Sequence, residues 1–317
     1  MLPVYALTAF LTANNLRILQ RQALPSKSPK PWFRLIGVVL AIVGFLIISQ
    51  VPVILPVFKL PEPGGPYPVG TASLVLADSS REETFTSDPN DHRSIPIQVW
   101  YPAEATADGK TAPYFMDLPK TGRYIAGEVG LPFFFLDHLH LVKTHAIADA
   151  GPVQQSIGFP VLVFSHGYHL GYLQQNTAVM EALASSGYIV FSVAHPYEAV
   201  AAPLVDGSTA VYLREFKDAF YDLPEVQEQS LIIWVDDVRF LIDRLEDINA
   251  GKLLPQLKGL LALNRLGVFG MSAPDWSELV TFVEPLEKML AQDSTPLARS
   301  VSWEEPDRVR RRGNPVP

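Results

Sequence analysis

Val161-Leu162-Val163-Phe164-Ser165-His166-Gly167 is a charge-free apolar run that ends in small and polar residues. A second run, Leu266-Gly267-Val268-Phe269-Gly270-Met271-Ser272, has the same shape. Short apolar runs of this kind read as strands buried on both faces. Between them lies a third apolar strand, Tyr188 to Ala194. A helix is expected near 172–186 and a longer one over 228–249. The longer helix carries Leu231, Trp234, Val235, Val238, Leu241, Ile242, Leu245 and Ile248 on one face. Apolar strands alternating with helices predict an α/β fold with a mostly parallel sheet covered on both sides.

Upstream, Thr71 to Ala77 and Ile95 to Tyr101 alternate apolar and polar residues around the polar turn Ser87 to Asp91. The pattern predicts an antiparallel hairpin at the edge of the sheet. Residues 103–158 are mixed and hold a Phe133–Phe135 cluster and three histidines, His138, His140 and His145. No carboxylate or third histidine stands at recognised ligand spacing from His138 and His140. They read as structural or surface residues, and no metal is expected. No internal repeat is present.

The 317 residues allow one large domain with extras, and 48% hydrophobic content supports a sizeable core. A net charge of −8 argues against nucleic-acid binding. The absence of cysteine excludes disulfides, cysteine nucleophiles and thiolate metal sites.

Leu35 to Phe58 is a 24-residue run without a charged side chain. About 20 apolar residues span a bilayer as a helix, so residues 35–58 are expected to form a membrane anchor whose helix ends near Val51, before Pro52 and Pro56. Arg17, Arg21, Lys27, Lys30 and Arg34 precede the run and Lys59 follows it. The bias predicts a cytoplasmic N-terminus and a main domain outside the cytoplasm. Leu2 to Ala13 is too short to span by itself and would fit the end of a further membrane helix. The expected organisation is a cytoplasmic segment (1–34), the anchor (35–58), a stiff proline-rich linker (59–70), an α/β domain (71–272), and a separate helix and tail (273–317).

A serine nucleophile needs a sharp strand-to-helix turn that lifts its hydroxyl clear and aims helix amides at the developing oxyanion. Gly270-Met271-Ser272 supplies the first half of such a turn. Ser272 to Asp275 also reads as a capping box for the apolar helical stripe that follows it. His166-Gly167 after the first strand reads as the other half of an oxyanion site, with the backbone amides of Tyr168 and Ala273 as donors. Two strand-end motifs separated by one strand-and-helix unit belong together on an α/β sheet.

Four stretches, FPVLVFSHG, ALASSGYIVFSVAHPYEA, WVDDVRFLIDRLEDIN and RLGVFGMS, resemble the platelet-activating-factor acetylhydrolase-like serine esterases of the α/β-hydrolase superfamily. The segment from Val57 to Glu104 is similar to bacterial membrane-anchored members, and the resemblance runs from about residue 56 to 272. It implies hydrolysis of carboxylic esters, such as short or oxidised acyl esters of phospholipids, without metal or cofactor. By position Ser272 matches the nucleophile, and Tyr168 and Ala273 match the oxyanion donors.

The chain departs from the family where Gly-Met-Ser-Ala-Pro-Asp replaces Gly-His-Ser-Phe-Gly-Gly or close to it. The 45 residues after Ser272 contain no histidine. The acid and the base are therefore unassigned. The expectation is a C-terminally truncated or frameshifted esterase of impaired activity, anchored in a membrane. The alternative is a non-catalytic module that binds a lipid or a partner at the membrane surface. His195, at a strand end, and His166, next to the oxyanion loop, are candidate replacement bases, and each reads as a hydrogen-bonded structural residue. Of Asp236 and Asp237 on the long helix, at least one is expected to face solvent or cap an internal contact.

Overall fold

The computed structural model describes residues 31–49, 57–106, 109–213, 220 and 222–270. The chain divides into two units, Met1–Phe58 and Lys59–Pro317. In the first, helix α1 spans Pro31–Ser49. Pro31 opens it, as suits a first helical position where no backbone donor is needed.

Among the described residues no helix is long and apolar enough to cross a membrane. Helix α1 begins with Trp32 and Arg34, which leaves its charge-free part at Leu35 to Ser49. The expected anchor over 35–58 therefore has its described helical part at Leu35 to Ser49, and residues 50–56 of that run lie outside the described residues.

Among the described residues the second unit is built on a seven-stranded sheet. Its strands are β1 (Val69–Glu82), β2 (His92–Pro102), β3 (Thr111–Pro113), β4 (Lys143–Ala148), β5 (Phe159–Ser165), β6 (Ile189–Val193) and β9 (Leu261–Gly270), in the spatial order β3-β4-β1-β2-β6-β5-β9. Strands β7 (Ala201–Pro203) and β8 (Thr209–Val211) form a separate small hairpin. The helices are α2 (Leu118–Glu128), α3 (Thr177–Ser185) and α4 (Pro224–Asn249).

The block β6-β5-β9 is parallel, as the apolar runs predict. The hairpin β1–β2 is antiparallel, with Val69 opposite Pro102 and Asp78 opposite Arg93. It does not lie at the edge. Strand β4 adds to β1 in parallel and β3 closes the border. The sequence between the hairpin and β5 hid these strands because they are short.

Alternation sends the two faces of each strand into different cores. Ile95, Ile97, Val99, Val161, Val163, Ile189, Phe191 and Val193 face Val238, Leu241, Leu245 and Ile248 of α4. Trp100, Phe164 and Val190 face Met180 and Ala184 of α3 on the other side. Each of these α4 side chains is almost fully buried and contributes roughly 1.5–3 kcal/mol of hydrophobic stabilisation. Helix α3 is shorter than the expected 172–186, because residues 173–176 form a turn before it.

Buried Glu181 on α3 accepts the amides of His145 (2.8 Å) and Ala146 (2.9 Å) and the Nδ1–H of His145, which ties β4 to the helix. The proline-rich segment at 59–68 is docked rather than a free spacer: Gly65 and Tyr67 donate their amides to Ser185 at the end of α3. The Phe133–Leu141 segment is a 3-10 turn with no buried residue, so the Phe133–Phe135 cluster does not cover the sheet. His138 and His140 within it each turn Nδ1 to a carbonyl three residues back. Among the described residues no three metal-binding side chains cluster.

Candidate active site

Strands β5 and β9 run side by side in register, with Val163 opposite Val268 and Ser165 opposite Gly270. The two motifs singled out in the sequence therefore leave the sheet at the same level, on adjacent strands. Gly270 needs to be glycine: a Cβ there would stand 2.8 Å from the carbonyl oxygen of Ser165. Ser272 and Ala273 lie outside the described residues.

The loop after β5 is held by a dense set of bonds. His166 is fully buried. Its Nε2 accepts the backbone N–H of His195 at 3.0 Å, and an amide can only donate. The proton of the ring therefore sits on Nδ1, which donates to the carbonyl of Gly167 at 2.8 Å. Burial, and secondarily the neighbouring His195, push the pKa of His166 down to about 3, so the ring is neutral. The amide of Gly167 donates to Gln175 Oε1 at 3.1 Å.

Tyr168 is buried, with its ring stacked on Phe220 at 3.6 Å and set edge-on to Tyr212. His169 adopts a left-handed backbone (φ 67°), donates its amide to the carbonyl of Glu198, and bonds Glu128 through Nε2 at 2.8 Å. Gly171 closes the loop so tightly that a Cβ would stand 1.9 Å from the carbonyl oxygen of Gly167.

Beneath this loop the structure brings together three residues that sequence reading did not combine. Ser165 Oγ lies 2.9 Å from His195 Nε2. His195 Nδ1 lies 2.9 Å from Asp237 Oδ2. Asp237 in turn accepts from Arg93 Nη2 at 2.8 Å and from Arg81 Nη2 at 2.9 Å. Burial alone would raise the pKa of Asp237, but the Arg93 charge and the bonds from Arg93 and His195 hold it well below the usual carboxylate range. Burial lowers the pKa of His195 against the opposing pull of Asp237. Ionised Asp237 thus takes the Nδ1–H of a neutral His195, and Nε2 accepts the hydroxyl proton of Ser165.

The connectivity is that of a serine–histidine–aspartate triad. Its exposure is not: Ser165 is 3% exposed and His195 and Asp237 are 0% exposed. A nucleophile must meet its substrate, and these side chains are closed to solvent. The ring of His195 is further covered by Trp234, parallel to it at 4.5 Å.

Both replacement bases weighed in the sequence are committed at both ring nitrogens. His166 is held by His195 and Gly167, and His195 by Ser165 and Asp237. The structural reading of each holds. Of the two aspartates, Asp236 pairs with Arg239 near the surface and Asp237 is the buried one.

One further group stands close by. Buried Glu198 accepts from Trp234 Nε1 at 2.8 Å, while its Oε1 has no hydrogen-bond partner among the described residues. Burial raises its pKa to about 7, against the lowering bonds from Ser230 and Trp234. A signal for this network was present in the sequence. Asp237 sits inside the stripe Trp234, Val238, Leu241, and a charge on the buried face of a helix demands a partner. The partner, Arg93, is 144 residues away, and spacing could not point to it.

The family model of platelet-activating factor acetylhydrolase, isoform II, matches residues 54–256. The matched span contains Ser165, His166, Gly167, Tyr168, His195 and Asp237, and ends before β9. No curated protein matches the chain. Among solved structures, a ferulic acid esterase from Streptomyces cinnamoneus is similar at 28% identity and a TM-score of 0.51, covering 68% of this chain and 55% of that one. The chain thus spans about half the length of that esterase.

Proposed function

The chain belongs to the platelet-activating factor acetylhydrolase isoform II family, and on that premise we propose that it is a carboxylic ester hydrolase with Ser272 as its nucleophile. The observation that supports the reading is the register of Ser165 with Gly270, by which the segment His166–Tyr168 and the segment that continues to Ser272 follow adjacent strands. The likeness to a ferulic acid esterase supports ester chemistry in general.

In this reading Ser272 Oγ attacks the ester carbonyl carbon as its proton passes to solvent water, and the resulting oxyanion accepts hydrogen bonds from the backbone amides of Tyr168 and Ala273. Collapse breaks the ester C–O bond, the departing alkoxide takes a proton from water and leaves as the alcohol, and a second water hydrolyses the acyl-serine to the acid and free Ser272. The buried aromatic packing of Tyr168 supports its part, since a donor works best when its position is set before the reaction. The reading assigns neither His166 nor His195 as the base for Ser272; its support is that His166 is bonded to His195 and Gly167, and His195 to Ser165 and Asp237. Triad proteases that lose a member keep about 10³–10⁴-fold catalysis over water from oxyanion stabilisation and binding.

The substrates proposed are short or oxidised acyl esters of phospholipids. Membrane attachment through residues 35–58, with the hydrolase unit outside the cytoplasm, is part of the same proposal. Its support is the charge-free composition of that run and the cationic residues that precede it.

The test is labelling of the full chain with a fluorophosphonate probe, followed by mapping of the modified residue. Label on Ser272, lost in Ser272→Ala, is the expected result. A folded protein that takes no label at Ser272 would sink the reading. Alkaline carbonate extraction of the cell membranes tests the attachment, with retention in the pellet expected.

A further inference from the structure

We propose that Ser165 is a positioning residue of this ester site, acting through the oxyanion loop; the proposal rests on the reading that Ser272 is the nucleophile. Ser165 is the last residue of β5 and the root of the loop that carries His166, Gly167 and Tyr168. Its hydroxyl proton has one direction, toward His195 Nε2 at 2.9 Å, because Nδ1 of that ring donates to Asp237. The backbone amide of the same His195 holds His166 Nε2. Two successive loop residues therefore grip a single residue on the neighbouring strand end.

His195 is a fixed anchor. Trp234 lies flat against its ring at 4.5 Å, and Asp237 is pinned by Arg93, which also bonds Glu83 and the carbonyl of Pro196. On its other side Ser165 abuts β9, where its carbonyl oxygen leaves no room for a side chain at Gly270. Ser165 is thus the joint between the donor loop and the strand end that leads to Ser272. A shift of the loop by a fraction of an ångström would misalign the Tyr168 amide with the oxyanion and leave ground-state binding largely intact. The effect belongs in kcat rather than KM.

The experiment compares the full chain with Ser165→Ala and the hydroxyl-retaining Ser165→Thr. Three readouts are taken: hydrolysis of p-nitrophenyl acetate, amide hydrogen exchange over 165–171, and mapping of a fluorophosphonate adduct. In Ser165→Ala, kcat is expected to fall roughly 10- to 100-fold with KM changed by less than about twofold. Exchange of the loop amides should quicken while the β1–β2 hairpin stays protected. Ser165→Thr should recover most of both. Unchanged loop exchange and unchanged kcat in Ser165→Ala would overturn the proposal. So would a probe adduct on Ser165 itself, which would make it the nucleophile. If the unaltered chain shows no Ser272-dependent label or turnover, the reading of Ser272 fails, and the exchange comparison still decides whether Ser165 holds the loop. Should Ser165→Ala lose its fold, His195→Phe keeps a ring against Trp234, removes the acceptor for Ser165, and is judged by the same exchange pattern.

Discussion

Ser165 and Gly270 face each other at the ends of β5 and β9, and the carbonyl oxygen of Ser165 lies 2.8 Å from where a Cβ on Gly270 would stand. Backbone against backbone at that range has no flexible side chain to give way. Gly270→Ala should therefore cost about 1–3 kcal/mol, as overpacking does, and disturb the end of β9, two residues before the proposed nucleophile Ser272. Urea denaturation checks the first part. A slower fluorophosphonate reaction at Ser272 checks the second.

Gly171 gives a sharper version of the same test inside the loop. A Cβ there would overlap the Gly167 carbonyl oxygen at 1.9 Å and His166 Nδ1 at 2.2 Å. In Gly171→Ala the loop has to open. Loss of Ser272 labelling with α4 still protected from hydrogen exchange is the expected result. Retained labelling would show that the loop geometry is not needed.

Asp237→Ala removes the partner of a guanidinium that is 2% exposed. Arg93 keeps Glu83, but its charge then sits beside an empty cavity and an unpaired His195 Nδ1. Breaking a buried pair from one side typically costs about 3–5 kcal/mol. The double variant Arg93→Met/Asp237→Leu should recover part of that loss, as a double-mutant cycle in urea would show. Equal stability of Asp237→Ala and the parent would refute the network's structural weight.

Acid should weaken the fold before the carboxylates titrate. An unfolded histidine takes its proton near 6.5, while buried His166 takes it only at about 3. His195 is shifted in the same direction. Below 6.5 the unfolded chain binds these protons and the folded one does not, so stability is full above that pH and falls toward 3. Asp237, whose folded pKa is depressed below 3.8, adds a loss at still lower pH. Because Glu198 titrates with the opposite sign in this window, the measurement is made on Glu198→Gln: its Tm in steps from pH 7 to pH 4 should drop steadily, and a flat profile would contradict the neutral-imidazole assignment.

Glu198 acts with the opposite sign. Its pKa rises from 4.5 in the unfolded chain to about 7 when folded. Between those values the folded state holds a proton that the unfolded state has released, so stability declines as pH rises through the window. Glu198→Gln keeps an acceptor for Trp234 and has nothing to titrate. Its Tm relative to the parent should climb between pH 5 and pH 7 and then level off. A constant difference across that range would reject the buried-carboxyl account.

The two apolar runs that end at Ser165 and Gly270, and the stripe on α4, showed their elements in the sequence because burial imposes a period that composition must obey. The hairpin was legible for the same reason, but its place in the sheet was not. Strands β3 and β4 have 3 and 6 residues, too few for a pattern to stand out, and they move the hairpin away from the edge. Helix α1 covers the first part of the apolar run expected to span a membrane, from Leu35 to Ser49, because a charge-free apolar stretch favours internally satisfied backbone.

The candidate site divides along the same line. His166, Gly167 and Gly270 stand out by local chemistry, and the sequence by itself determined that the two strand ends belong to one α/β sheet, while the order of the strands came from the tertiary structure. Tertiary structure alone decided that Ser165, His195, Asp237 and Arg93 form one hydrogen-bonded chain, and that His166 and His195 have no ring nitrogen to spare. Those four residues come from β5, the end of β6, α4 and β2, and no spacing rule relates them. A hydrogen bond needs its atoms within about 3 Å, and only the folding of distant segments onto one another brings such atoms together.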